Sequence, residues 1–195
     1  MQTVHDNFTM LKLRADFVFG EYLLINFVNL SAAEKEMVRN WRNNEQIKKH
    51  MFSEHLISLE EHAKFTAALS NDNKNFYWLI KDKEGEYLGV ISLNRADLSN
   101  MNAFLGIYSN PDRKTPGAGS LLVDCLKKIA FEKWNLHTLK LEVIETNVRA
   151  VDFYAKAGFS DEGRLKQFVL KKGKWHDVII MGMVNRNEKQ ENEDL

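Results

Sequence analysis

At 195 residues, with 44% hydrophobic and 28% charged side chains, the chain has the size of one ordinary domain and is too apolar to stay disordered. Lysine plus arginine balance aspartate plus glutamate at 27 each, so no net field implies nucleic acid or a membrane as a partner. No apolar run approaches the roughly 18 residues that span a bilayer, the N-terminus lacks a charged-then-apolar leader, and a single cysteine excludes an intrachain disulfide or thiolate metal site, so the cytoplasm is the default expectation.

Residues 1–20 show no clear period and are expected to form an N-terminal extension to a single domain at 21–184. A strand is expected at 22–28. Ser31 with Glu34 forms a capping box, each side chain satisfying an orphan N–H, and opens a helix at 32–43 with the stripe Met37, Val38, Trp41. A short helix at 47–51 follows, then a second capping box, Ser58 with Glu61, opening a helix to Leu69. The β-rich runs 76–80 and 87–93 flank a Gly- and Asp-containing loop and should pair antiparallel. A further strand at 103–108 stops at Asn110–Pro111, because proline cannot donate to a ladder.

Apolar positions 121, 122, 125, 126, 129 and 130 give a 3.6-residue period and predict a helix over 119–134, in which Cys125 reads as core rather than nucleophile. A strand at 139–144 precedes a helix that Asn147 can cap and Gly158 can end in the left-handed conformation. Strands at 163–170 and 175–183 flank Lys171–Lys172–Gly173–Lys174 as a hairpin, and the charged tail from 185 to 195 is expected to lack order.

The segment Lys114–Thr115–Pro116–Gly117–Ala118–Gly119–Ser120 joins a strand to an amphipathic helix. Glycines let the backbone approach an anion, and the helix adds unsatisfied N–H groups and the positive end of its dipole, so a pyrophosphate fits there. Taken alone, the segment is equally a plain strand-to-helix turn, and it has neither Walker nor dinucleotide spacing. The second element is Asn147-x-x-Ala150-x-x-Phe153-Tyr154-x-x-x-Gly158-Phe159.

Together the two elements resemble the acetyl-CoA-binding motifs of the GNAT superfamily of acetyltransferases, with Lys114 where that family has Arg or Gln and Pro116 removing one N–H donor. The resemblance implies an α/β (α+β) fold: a mixed, mostly antiparallel sheet of about seven strands flanked by about four helices, with a V-shaped splay between the fourth and fifth strands. It implies acetyl-CoA as cosubstrate. Pantetheine would pair with the strand edge at Leu105, Gly106 and Ile107, and Lys114, Gly117, Ala118, Gly119, Ser120, Asn147, Ala150 and Phe153 would hold the rest. It also makes Tyr154 the acid that reprotonates the CoA thiolate, against the plain reading of a tyrosine packed beside Phe153. Strand alternation puts Glu142 opposite Leu141 and Val143, facing the cleft, as a candidate acceptor of the amine proton or else a solvated carboxylate. His62 is a second candidate base or an exposed helix residue. No cluster has metal-ligand spacing, and thioester transfer does not require a metal.

The N-terminal half resembles the bacterial N-acetyltransferases of pseudaminic acid biosynthesis in Trp41–Arg42–Asn43, His50–Met51–Phe52, residues 57–62 and residues 104–111. That resemblance implies a nucleotide-sugar acceptor, UDP-4-amino-4,6-dideoxy-N-acetyl-β-L-altrosamine. Arg42, His62 and Arg95 would meet phosphate or uracil, and Met51, Phe52, Phe65, Phe104 and Tyr108 would shape the sugar site; each is alternatively a surface or core residue. A homodimer is compatible with this reading. A polyamine or protein N-terminal acetyltransferase of the same superfamily, or a non-catalytic CoA-binding domain, are the alternatives.

Overall fold

The computed structural model describes residues 14–186. Of the tail expected at 185–195, residues 187–195 lie outside the described residues, and Asn185 is not disordered but buried, its N–H donating to His137 O at 2.8 Å; of the expected extension, residues 1–13 lie outside them. The strands are β1 (Phe17–Phe19), β2 (Tyr22–Asn26), β3 (Phe76–Lys81), β4 (Tyr87–Asp97), β5 (Asn102–Ser109), β6 (Thr138–Ile144), β7 (Ser160–Lys171) and β8 (Lys174–Val184). The helices are α1 (Ala32–Asn43), α2 (Glu45–Lys48), α3 (Leu59–Ala68), α4 (Ala118–Lys127) and α5 (Val148–Lys156). One eight-stranded sheet has the order β1-β2-β3-β4-β5-β6-β8-β7. Only β5 and β6 run parallel among its neighbouring pairs. This is the mixed, mostly antiparallel α+β architecture expected, with one strand more.

The additional strand lies in the span expected to precede the domain. Phe17 and Phe19 turn inward while Val18 stays 69% exposed, and the strand pairs with β2 from Phe17↔Leu24 to Phe19↔Tyr22. Three residues are too few to display a period. Tertiary contacts fix it instead: Trp78 Nε1 donates to the Ala15 carbonyl at 3.0 Å, and the Phe17 and Trp78 rings lie 6.0 Å apart.

Each strand face has its own core, as strand alternation requires. Trp78, Ile80, Ile91 and Leu93 face α4 and the turns that continue it, where Leu122, Leu126 and then Ile129 answer them. Ile25, Leu79 and Val90 point the other way, onto Val38 and Trp41 of α1. Both capping boxes form, with Ser31 N donating to Glu34 and Ser58 N to Glu61 at 2.8 Å each. The helix expected to reach 134 changes character at Lys128–Lys133, where the turns widen to π spacing and Trp134 N reaches back to Ile129 O at 2.9 Å. The expected four-residue hairpin turn contracts to Lys172 and Gly173, at φ 47° and 74°, the two left-handed positions of a tight hairpin.

The functional consequence of this topology lies between β5 and β6. They pair only at Asn102↔Thr138, Ala103↔Leu139 and Phe104↔Lys140. Beyond that point β5 stays with β4 as far as Ser109, and β6 stays with β8 as far as Ile144. The edge of β5 from Leu105 to Ser109 therefore has no strand partner, which is the V-shaped splay expected.

Gly89 is where the splayed half of the sheet meets α4. A Cβ there would sit 2.5 Å from the Tyr108 carbonyl oxygen and 2.8 Å from Leu122 Cδ1. The oxygen is backbone and cannot swing away, so Gly89→Ala should destabilise the fold by about 1–3 kcal/mol, read as a lower urea midpoint at unchanged slope.

Candidate active site

On the α4 side of the splay, Gly117 takes the N-cap position of α4 at φ 78° and supplies no capping side chain. Ala118 N bonds Thr115 O at 3.2 Å and Leu121 N bonds Gly117 O at 3.1 Å. That leaves the N–H groups of Gly119 and Ser120 with no backbone acceptor among the described residues, at the positive end of the helix dipole. The bare Cα of Gly119 lets the Phe153 ring approach to 3.4 Å from where a Cβ would stand. Lys114 is exposed beside this turn, and Ala150 and Phe153 of α5 pack on the same core as α4. The free N–H groups at the start of α4 and the open edge of β5 are features that fit, respectively, a pyrophosphate and an amide-bearing arm.

Asn147 corrects a local expectation. It occupies the N-cap position of α5, but its side chain makes no capping bond. Its backbone (φ −87°, ψ 57°) is outside the extended conformation from which a cap normally reaches the N2 or N3 amide. Gly158 behaves as expected, at φ 93°, with Phe159 N returning to Tyr154 O at 3.0 Å.

Tyr154 is only 8% exposed and stands edge-on to both Phe153 and Phe159. Burial pushes its phenol well above the ordinary tyrosine value, so it is fully protonated near neutral pH. Glu142 sits on the face of β6 opposite buried Leu141 and Val143, as alternation predicts. Its carboxylate lies 2.9 Å from Arg95 Nη2, and the Arg95 guanidinium stacks 3.6 Å above the Phe104 ring. Arg95 reaches this position from a left-handed backbone (φ 50°) at the irregular register between Asn94 and Asp97, held by Asn75 Oδ1 accepting its N–H at 3.2 Å. Three residues read separately from the sequence thus form one cluster beside the last β5–β6 rung. A Cβ on Gly106 would lie 2.6 Å from Ser92 Oγ, so a larger residue there would have to displace that hydroxyl.

The opposite face of the sheet holds a cavity of about 360 Å3 under α1 and α3. Arg42, His62, Phe65 and Tyr108 line it as expected. Phe27, Val38, His55, Ile57, Glu61 and Tyr77 complete it. Arg42 Nη1 is buried with no hydrogen-bond partner, and burial lowers the guanidinium's affinity for its proton despite nearby Tyr108 and Tyr77. Burial also raises both phenols, that of Tyr77 to about 12. His62 is 8% exposed, not a solvated first-turn residue; burial first, and Arg39 second, hold its imidazole neutral.

Met51 and Phe52 do not line this cavity. They lie in the connection from α2 to α3, with the Met51 carbonyl accepting from Lys171 and the Phe52 side chain exposed. Tyr77 was missed because, between Phe76 and Trp78, it reads as one more core aromatic; its phenol was the only signal. Cys125 is buried core, its thiol pushed up to about 11. Among the described residues no group of three His, Cys, Asp or Glu side chains is placed to hold a metal, and no helix is long and apolar enough to cross a membrane.

Residues 30–180 match the acetyltransferase (GNAT) domain family. The chain is 32% identical to the acetyltransferase PseH of Campylobacter jejuni over 145 residues, covering 74% of this chain and 88% of that protein. It is 25% identical to the spermidine N(1)-acetyltransferase of Vibrio cholerae over 152 residues, or 78% and 88% of the two chains. Among solved structures, the V. cholerae spermidine N-acetyltransferase in complex with CoA and spermine superposes with a TM-score of 0.78 at 23% identity, covering 85% of this chain and 96% of that one. C. jejuni PseH in complex with acetyl coenzyme A gives 0.64 at 25% identity, covering 84% and 99%. The chain belongs to the GNAT acetyltransferases, an N-acetyltransferase that uses acetyl-CoA.

Proposed function

We propose that the acyl acceptor is the 4-amino group of a UDP-linked 4-amino-4,6-dideoxy sugar, UDP-4-amino-4,6-dideoxy-N-acetyl-β-L-altrosamine. The observation that carries this reading is the buried, unpartnered Nη1 of Arg42 in a cavity walled mainly by aromatic and aliphatic groups, with His55, His62 and Glu61 as its other polar side chains. A buried donor without a partner is costly unless a ligand supplies one, and a uracil carbonyl or phosphate oxygen does so. A guanidinium in the cavity wall favours an anionic acceptor over a cationic one.

Spermidine is the competing acceptor, given the fold shared with the Vibrio enzyme. A polycation needs carboxylates free to receive it. Here Glu61 pairs with His55 at 2.9 Å, and Glu142 with Arg95. Cationic Arg42 occupies the cavity itself.

In the proposed reaction the neutral amine attacks the thioester carbonyl directly. Glu142 takes the amine proton, by contact or through one water, and the buried phenol of Tyr154 gives a proton to the departing thiolate. Phosphate oxygens of the acceptor compete for Arg95, which frees the Glu142 carboxylate for that role. Gly119 and Ser120 hold the pyrophosphate, and the Leu105–Ile107 edge pairs with the pantetheine amides.

Thiol release from acetyl-CoA should be selective for the UDP-amino sugar over spermidine and an alanine-starting peptide; selective release with either of the others would overturn the acceptor assignment. Tyr154→Phe should lower kcat by about 10²–10⁴-fold with little change in the KM for acetyl-CoA, and near-normal turnover would remove Tyr154 as the acid. Arg42→Met should raise the KM for the nucleotide sugar by at least about tenfold, the loss of one charge-assisted contact, and leave kcat within a small factor.

A further inference from the structure

Residues 49–58 connect α2 to α3 without helix or strand, and His55 and Ile57 of this connection line the acceptor cavity. It is tied down at both ends. At its C-terminal end Asn43 makes two bonds to the Ile57 backbone, accepting from N at 2.8 Å and donating to O at 2.9 Å, while Arg39 donates to the same O at 3.0 Å. At its N-terminal end the tie comes from far along the chain. Lys171, the last residue of β7, donates from Nζ to the carbonyls of Lys49 and Met51, each at 2.7 Å. Between the ties, the pairing of His55 with Glu61 is the side-chain link to α3 that holds this strap.

Lys171 is an unusual residue to find at a hairpin end. It is 8% exposed, and lysine is almost never buried without partners. Its ammonium has given up solvent for two backbone carbonyls, that of Lys49 at the C-cap of α2 and that of Met51 just beyond it. An apolar side chain would fill the volume without desolvating a charge, so what the lysine adds is position. It fixes the strap against the β7–β8 hairpin, on the far side of the splay from α1 and α3.

We propose that Lys171 is a positioning residue of the acceptor site: its ammonium clamps residues 49–58 over the cavity and makes closure of that cavity depend on the C-terminal hairpin. The proposal rests on reading the Arg42 cavity as the acceptor site. Acetyl-CoA binding uses the other face of the splay and should be indifferent to the clamp.

The test compares the full chain with Lys171→Met and Lys171→Arg, the second retaining a cationic donor. In Lys171→Met without substrates, amides 50–56 should exchange about tenfold faster, and trypsin should cut after Lys48 or Lys49 correspondingly faster, while β3 and β4 exchange as in the parent. The KM for the amine that supports thiol release should rise about tenfold and that for acetyl-CoA should stay within about twofold, with Lys171→Arg recovering most of both effects. Unchanged strap exchange would overturn the proposal, as would an equal rise in both KM values. Loss of protection in β3 and β4 together with the strap would also overturn it, by making Lys171 a determinant of global stability. The exchange and proteolysis arms need no acceptor, so they decide on the clamp even if the nucleotide sugar proves not to be the substrate.

Discussion

Everything distinctive in this molecule follows from the failure of β5 and β6 to stay paired beyond Phe104 and Lys140. Each strand has a better partner on its other side. β4 holds β5 to Ser109, and β8 holds β6 along its whole length, so the one parallel contact in the sheet is the one that gives way. An unpaired edge inside a sheet is ordinarily a liability. Here residues of α4 and α5 pack on one face of the sheet beside the gap, and Arg95 and Phe104 mark its apex on the other. The two faces beside the gap differ in chemistry: backbone donors at the start of α4 on one, and a largely aromatic cavity holding Arg42 on the other.

How much of this the sequence disclosed depended on how local each determinant is. The capping boxes at Ser31 and Ser58 and the left-handed Gly158 are decided within a few residues, and all formed as read. The placement of Glu142 opposite Leu141 and Val143 needed only the two-residue period of a strand. What escaped was non-local. β1 is too short to show a period and depends on Trp78 and Leu24, many residues away. The Arg95–Glu142 pair depends on a left-handed residue at a register irregularity, which no sequence signal near Arg95 announces. Lys171 looked like a turn residue, and only the fold brings it to Lys49 and Met51. Asn147 shows the opposite failure: the residue type suited a cap, but the local backbone did not adopt the required geometry.

The electrostatics of the two faces are consistent with one another. Carboxylates near the acceptor side are already engaged, Glu61 by His55 and Glu142 by Arg95, whereas Arg42 holds a buried donor in reserve. On the α4 side of the sheet the Tyr154 phenol packs between aromatic rings and is driven towards its neutral form by burial. A neutral acid beside the leaving sulfur and an available base beside the amine are what direct acyl transfer needs, because the amine sheds a proton as the thiolate gains one. In the proposed reaction Tyr154 and Glu142 divide those roles, Glu142 once the acceptor has drawn Arg95 away from it.

The central claim, that the open edge of β5 and the start of α4 form the acetyl-CoA groove, is tested most directly by hydrogen exchange along the full chain with and without acetyl-CoA. The account predicts slowed exchange confined to residues 105–109 and 117–120, with amides around the Arg42 cavity unchanged. Binding that leaves β5 unprotected, or that protects α1 and α3 instead, would contradict it.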